Sequence, residues 1–418
     1  MNTKLKTPLE DSCRAPQIIS PIMDLMTEPA ATRAEFLVFG SPAISEDEIE
    51  EVVATLRSGW IGTGPRVHQF QDNFKSYVGA DHAVALSSCT AALHLSLLAA
   101  GIGPGDEVIT TPMTFCATVN AIIHTGATPV LADCDRASCN IDIREIERKI
   151  TPRTRALLPV HFAGNPCDMV AIMELARRHN LKVIEDCAHA IETQIDGRHA
   201  GTWGDFGCFS FYVTKNIVTG EGGMVVTADA DAADRIKILG LHGMSKDAWN
   251  RFSDQGYKHY SVVELGFKYN MTDMQAALGV KQLEKVERYW QRRADIWKRY
   301  NAAFAGLPCT LPASVAPNNR HSHHLYTLLL DIEKLGVSRD HVLNALTARN
   351  IGTGVHYLAL HTHPYYSDNY GWKPGDYPNA EWIGERTISL PISAKLSDDD
   401  VESVIRAVHS VLQTGRSF

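Results

Sequence analysis

The feature that most limits the folds open to this chain is an alternation, from His82 to Thr227, of short β-prone apolar runs and stretches of helical periodicity. Strands are expected at residues 82–86, 107–110, 128–132, 156–160, 182–185, 207–212 and 224–227, with helical patterns at 90–100, 143–150 and 168–178 between several of them. A strand that returns to its sheet through a helix runs parallel to its predecessor. The pattern therefore predicts an α/β fold with a mainly parallel seven-stranded sheet, covered on both faces, whose ligands bind beyond the carboxyl ends of the strands.

The flanking segments complete the expected organisation. Residues 1–34 show no periodicity and are expected to be a flexible extension. Ser45-Glu-Asp-Glu48 resembles a capping box opening a helix that stops at Ser58-Gly59, and Trp60 to Pro65 form a turn-rich segment, either a surface loop or a ligand contact. Residues 35–262 are expected to form the large domain and 263–418 a smaller C-terminal α+β domain. Within them, 246–258 read as an inserted loop and 271–304 as one long linking helix. Shorter strands (326–330, 352–357) and helices (339–349, 398–412) follow.

Composition narrows the function classes. With 44% hydrophobic residues, 21% charged ones and a formal charge of −8, the chain is globular and carries no long basic run, which argues against nucleic acid as a partner. No run of about 18 apolar residues offers a membrane span. The nine cysteines are scattered without zinc-ligand spacing and read as reduced thiols of a cytoplasmic protein. His321, His323, His324, His361 and His363 match no recognised metal site either, and no metal is expected.

Four features fall at the expected carboxyl ends of the sheet. Ser87-Ser-Cys-Thr90 joins the first strand to a helix, where backbone amides and hydroxyls suit a phosphate, although Ser and Thr are also good caps. Phe115 follows the second strand as either a stacking face or a core residue. In Val183-Ile-Glu-Asp-Cys-Ala-His189, an acid ends a nearly all-apolar strand and needs a cationic partner, which a protonated pyridine nitrogen would supply. Finally, Lys215 lies between the apolar run 208–213 and the glycines Gly220, Gly222 and Gly223, five residues after Ser210. Partial burial there lowers an amine's pKa and favours Schiff-base chemistry, the alternative being an ordinary surface lysine. A phosphate site, a stacking face, an acid and an amine are what pyridoxal 5'-phosphate requires.

The segments Gly101-Ile-Gly-Pro-Gly-Asp-Glu-Val-Ile-Thr110, Ile184-Glu-Asp-Cys-Ala-His-Ala190, Phe209-Ser-Phe-Tyr-Val-Thr-Lys-Asn216 and Gly220-Glu-Gly-Gly223 closely resemble the DegT/DnrJ/EryC1/StrS sugar aminotransferases, over roughly residues 38–413. Within that family, residues 241–249, 266–273 and 351–357 look most like the branch that makes UDP-4-amino-4-deoxy-L-arabinose. The resemblance implies a fold-type-I pyridoxal phosphate-dependent transferase, usually a homodimer with shared active sites. It implies amino transfer from L-glutamate, leaving 2-oxoglutarate, to a nucleotide-linked ketosugar. Carried over by position, Lys215 is the Schiff-base lysine, Asp186 the partner of the ring nitrogen, His189 a contact of the phenolic oxygen and Phe115 the stacking face. Ser88, Cys89 (through its amide), Thr90 and Ser210 hold the phosphate. Where many relatives have Asn-x-Arg, this chain has Lys268-Tyr-Asn270, so the contribution of Lys268 and Asn270 to a neighbouring subunit's cofactor stays open. Thr63, His324, His356 and Tyr357 are implied as substrate contacts. Dehydratases of the same fold generally replace the lysine by histidine, which argues against that activity; a non-catalytic sensor of the cofactor or of a nucleotide sugar is the other alternative.

Overall fold

A computed structural model describes residues 33–245 and 259–414. The extension expected at 1–34 lies outside the described residues but for Arg33 and Ala34, and the inserted loop expected at 246–258 lies outside them entirely. The strands are β1 (His82–Leu86), β2 (Glu107–Thr110), β3 (Thr128–Leu131), β4 (Thr154–Leu158), β5 (Lys182–Asp186), the short hairpin β6 (Gln194–Ile195) and β7 (Arg198–His199), β8 (Phe206–Ser210), β9 (Gly223–Thr227), β10 (Cys309–Thr310), β11 (Tyr326–Leu330) and β12 (Thr387–Leu390).

Seven of these form one sheet in the order β1-β9-β8-β5-β4-β2-β3. Strand β9 runs antiparallel to both of its neighbours, while β8, β5, β4, β2 and β3 are mutually parallel. The apolar runs within the central strands have a direct cause: both faces are covered, and successive side chains enter different cores. Ala83, Ala85 and Val183 pack in one cluster, and Val84, Leu86 and Ile184 in the other. Strands β10, β11 and β12 form a separate antiparallel sheet, so the architecture is α/β with a smaller α+β part, as the residue pattern predicts.

The helices that matter below are α1 (Glu46–Ser58), α2 (Pro65–Val78), α3 (Cys89–Ala99), α4 (Cys116–His124), α5 (Asp273–Glu284) and α6 (Val286–Phe304). Helix α1 has the expected box: the Glu48 carboxylate accepts from the Ser45 N–H at 2.8 Å and hydroxyl at 2.7 Å, and Gly59 ends the helix at φ 78°.

Two expectations fail. The single helix expected over 271–304 is broken at Lys285 (φ −105°, ψ −2°). There the ammonium leaves the helix surface to meet Glu48 at 2.9 Å and Asp47 at 3.0 Å. Burial opposes ionisation of Glu48, but Lys285 and the Ser45 hydrogen bonds outweigh it and hold the carboxyl at about 2. Consequently α5 packs on the large core through Ala276, Val280 and Leu283, and α6 packs on the small one through Ile296, Tyr300 and Phe304. The strand expected at 352–357 is also absent: Gly354 exchanges two backbone hydrogen bonds with Ser389 and Gly352 N–H donates to the Leu37 carbonyl at 2.8 Å, but no continuous ladder forms. Residues 37–39 lie so close to the segment that a Cβ at Gly352 would fall 2.6 Å from the Leu37 carbonyl oxygen.

Candidate active site

Strand β5 ends in two adjacent carboxylates on opposite faces of the sheet. Glu185 faces the loop 201–204: its Oε2 accepts from Gly201 N–H at 2.8 Å and its Oε1 from Trp203 and Gly204 N–H at 2.8 and 2.7 Å. His161 completes this set at 3.1 Å; its Nδ1 accepts from Cys167 N–H, so its proton lies on Nε2, toward Glu185. His161, Glu185 and Cys187 also bring three potential ligand atoms within 4.8 Å. Glu185's acceptor positions are spent on the backbone and His161, a structural role.

Asp186 has far less. It is buried, with Thr118 Oγ1 donating at 2.8 Å and Ala188 N–H at 3.1 Å. Desolvation pushes its carboxyl above the usual range, which is the signature of a buried anion short of cationic company.

Lys215 lies in the connector between β8 and β9. That connector is closed at its base by Phe211 N–H to Gly222 C=O and Thr219 N–H to Phe211 C=O, both 2.9 Å, and Lys215 N–H donates to Tyr212 C=O at 2.8 Å. The lysine is therefore pinned. Burial pushes its ammonium down to about 8, against the opposing pull of Cys89 and Asp186.

The start of α3 lies beside it. Ser88 caps the helix by accepting from Ala91 N–H at 3.1 Å, and the Cys89 thiol turns inward to the Cys208 carbonyl at 3.5 Å, leaving only its backbone to face out. Gly223 is required here: a Cβ would lie 2.3 Å from the Ser88 carbonyl carbon and 2.6 Å from the Cys89 nitrogen. This close approach carries the first residue of β9 against the helix N-terminus, a place suited to an anion.

His189 is buried and neutral, because desolvation first and then Lys215 push its pKa well down. Its Nδ1 accepts from Ala163 N–H at 3.2 Å, so Nε2 carries the proton and meets the Tyr357 hydroxyl at 3.2 Å. The preceding turn needs Gly164, where a Cβ would fall 1.8 Å from Ser322 Oγ.

The region around the small antiparallel sheet supplies the opposite wall. His356 Nδ1 meets Ser389 Oγ at 2.8 Å, Phe39 stacks on the His356 ring at 5.5 Å, and burial lowers its pKa to about 4. His356 and His324 line the cleft behind Lys215. Phe115 is 59% exposed and tilts toward Tyr357 at 6.2 Å, so it is an open aromatic face rather than a core residue. These two border a cavity of about 720 Å³ that Asn120, Arg339, His363 and Tyr365 also line.

Other expected residues are not brought to Lys215. Asn270 Nδ2 donates to Thr63 Oγ1 at 2.7 Å, Thr63 donates in turn to the Met271 carbonyl at 2.6 Å, and both line a separate cavity with Trp60. Lys268 is exposed beside them, bridging to Leu241. The clustered histidines also part company: His361 pairs with Glu381 at 2.7 Å, and His321 and His323 stack on each other at 4.9 Å against Trp297.

Sequence reasoning missed three residues. Arg293 on α6 and Glu192 form a buried ion pair, and Glu192 also accepts from Asn216, the residue after Lys215, at 2.7 Å. Asn216 alone had a signal, its adjacency to the lysine.

The aminotransferases of the family suggested by these motifs use pyridoxal phosphate, and the residues present fit that group. Asp186 is a buried anion in want of a cation, Lys215 is a pinned amine of lowered pKa, and the crowded Ser88–Gly223 contact opens a helix N-terminus beside it.

Comparison with known proteins agrees. A family description, "DegT/DnrJ/EryC1/StrS aminotransferase family", matches residues 42–409. The chain is 51% identical over 382 residues, 91% of this chain and 98% of the relative, to the spore coat polysaccharide biosynthesis protein SpsC of Bacillus subtilis. Among solved structures, the PMP-form of the putative sugar aminotransferase Spr1654 from Streptococcus pneumoniae superposes with a TM-score of 0.84 at 34% identity, covering 91% of this chain and 100% of that one. PseC of Helicobacter pylori, an aminotransferase involved in the biosynthesis of pseudoaminic acid, does so with a TM-score of 0.83 at 29% identity, covering 92% and 100%. With this fold, this floor and these relatives, the chain belongs to the DegT/DnrJ/EryC1/StrS aminotransferase family, whose members depend on pyridoxal phosphate.

Proposed function

We propose that this protein transfers an amino group from L-glutamate to a nucleotide-linked ketosugar, with a UDP-linked 4-ketosugar as the acceptor, in aminosugar or surface-glycan synthesis in the cytoplasm. The observation that carries the reading is the pairing of a buried, under-partnered Asp186 with a pinned Lys215 whose amine sits at about 8. Bound pyridoxal phosphate would supply an electron sink for cleavage of a Cα–H bond. This chain's residues do the rest. Asp186 keeps the ring nitrogen protonated, and Lys215, once displaced, carries the proton as general base and then acid. His189 presents Nε2–H to the phenolic oxygen, and Phe115 stacks on the ring. Ser88, Thr90, Ser210 and the Cys89 amide hold the phosphate.

His356, His324, Tyr357 and Thr63 are assigned to the sugar nucleotide. Support comes from the cleft position of His324 and His356 and from the aromatic cavity beside Phe115 and Tyr357, wide enough for a ligand larger than glutamate. Thr63, Lys268 and Asn270 act from a second copy in a homodimer, which brings them to the partner's site. The exposed apolar residues that precede them in the chain, Trp60 and Ile61 before Thr63 and Val262, Val263 and Leu265 before Lys268, suit such an interface. The lysine at position 215 disfavours a dehydratase.

L-glutamate added to the loaded enzyme should bleach its visible absorbance, UDP-4-ketosugars should restore it, and borohydride should fix the cofactor on the peptide containing Lys215. No response to glutamate rejects amino transfer, and recovery only with dTDP-linked 3-ketosugars rejects the assigned acceptor.

A further inference from the structure

The three residues that sequence reasoning missed form one connected chain. Glu192 is fully buried, and its carboxylate accepts from Arg293 on one side and from Asn216 Nδ2 at 2.7 Å on the other. The same Nδ2 faces the Ser322 carbonyl at 3.1 Å. A carboxylate and a carbonyl are both acceptors only, so the group facing them is the NH2 end of the amide; the flipped amide would set oxygen against oxygen twice. The amide orientation is thus fixed by chemistry, and both of its N–H bonds are used.

Asn216 Oδ1 is then left as an acceptor, and it meets His324 Nδ1 at 2.9 Å. His324 is buried, and desolvation followed by the nearby Lys215 charge keeps it neutral. A neutral imidazole has one proton, and only an Nδ1–H satisfies that contact. We propose that Asn216, oriented by the buried Glu192–Arg293 pair, is a positioning residue that holds the His324 proton on Nδ1 and so turns its Nε2 lone pair into a fixed acceptor in the Lys215 cleft.

His189 is locked the other way. Its Nδ1 receives Ala163 N–H, its proton is on Nε2, and its ring lies 4.4 Å from that of His324. The two imidazoles behind the lysine therefore form a fixed couple, one offering a donor and one an acceptor. Under the ketosugar reading on which this use of the couple rests, the acceptor serves a sugar hydroxyl, which always has a hydrogen to give. A locked tautomer leaves no proton rearrangement to be made when the ligand enters.

The test reads protons and needs no substrate, so it can fail independently of the aminotransferase assignment. Long-range 1H–15N correlation on histidine-labelled full-length protein loaded with pyridoxal phosphate, with His324→Gln and His189→Gln to assign signals, should show His324 as the Nδ1–H tautomer and His189 as the Nε2–H tautomer. Asn216→Ala should shift His324 toward Nε2–H with loss of the single-tautomer pattern. The wild-type spectrum alone overturns the proposal if His324 carries its proton on Nε2, whether or not the variants fold. Retention of the Nδ1–H form in Asn216→Ala overturns it equally.

Discussion

Glu185 and Asp186 are neighbours on one strand, yet the two faces of the sheet treat them in opposite ways. On one side Glu185 receives three backbone N–H groups and His161, and its charge closes the loop 201–204. On the other, Asp186 receives Thr118 and one backbone N–H and is left with a raised pKa. The same residue chemistry at the same depth thus serves architecture where its acceptors are filled and chemistry where they are not. A buried charge costs stability unless it is compensated, so an uncompensated one marks a place where something else binds.

Exchanging charge for amide at each position should separate the two roles. Asp186→Asn should slow transamination by about 10²–10³-fold, the scale for losing a preorganised electrostatic partner. The apoprotein should be no less stable, because the amide still accepts from Ala188 N–H and Thr118 Oγ1 can turn to accept from it. Near-native turnover, or a large fall in the urea midpoint of the apoprotein, would break the contrast.

Glu185→Gln should do the reverse. An amide places its N–H bonds against either the Trp203 and Gly204 donors or the Gly201 and His161 donors, so at least one buried group loses its partner. The expected loss is about 3 kcal/mol of stability, the upper end for an unsatisfied buried polar group. Turnover per folded molecule should stay within a few fold, and a purely kinetic effect with unchanged unfolding would show that Glu185 belongs to the reaction.

The comparison extends to the cleft wall. His356 is neutral, with its pKa lowered to about 4, and held by Ser389, so it can offer a hydrogen bond without adding charge beside Lys215. His356→Ala should cost roughly 1–3 kcal/mol in the ketosugar half-reaction, one buried hydrogen bond left unmade. The glutamate half-reaction and the visible spectrum should hardly change. Equal slowing of both half-reactions in stopped-flow traces would move His356 from the sugar to the cofactor.

How much of this was legible in the sequence follows from the range of the interactions involved. The seven strands of the large sheet, the capping box at Ser45 and the lysine between β8 and β9 are local patterns; the box and the lysine lie where the sequence places them and the strands within two residues of it, whereas β6, β7, β10 and β12 were not expected. The break at Lys285 was invisible because its cause, Glu48, lies 237 residues away. The Arg293–Glu192 pair spans 101 residues and left no trace in any window. The segment 352–357 misled for a related reason: its side-chain pattern suits a strand, but its backbone partners, Leu37 and Ser389, come from distant parts of the chain, and it bonds to Leu37 at Gly352 and to Ser389 at Gly354.

The contrast between the two faces also predicts a pH dependence. Lys215 attacks an aldehyde only as the free amine, and burial lowers its pKa from the ordinary lysine value to about 8 while Asp186 pulls it back up. Below about 8 the ammonium dominates, so the rate at which apoenzyme captures pyridoxal phosphate should fall about tenfold for each pH unit lost and level off above the inflection. In Asp186→Asn the part of the upward pull that comes from Asp186 is gone, so the inflection should move to lower pH and capture near neutrality should become faster, although turnover collapses. Visible absorbance after mixing apoenzyme with pyridoxal phosphate across the pH range measures both curves. An inflection near the ordinary lysine value in the wild type, or an upward move in the variant, would mean that Lys215 does not sense the face on which Asp186 lies.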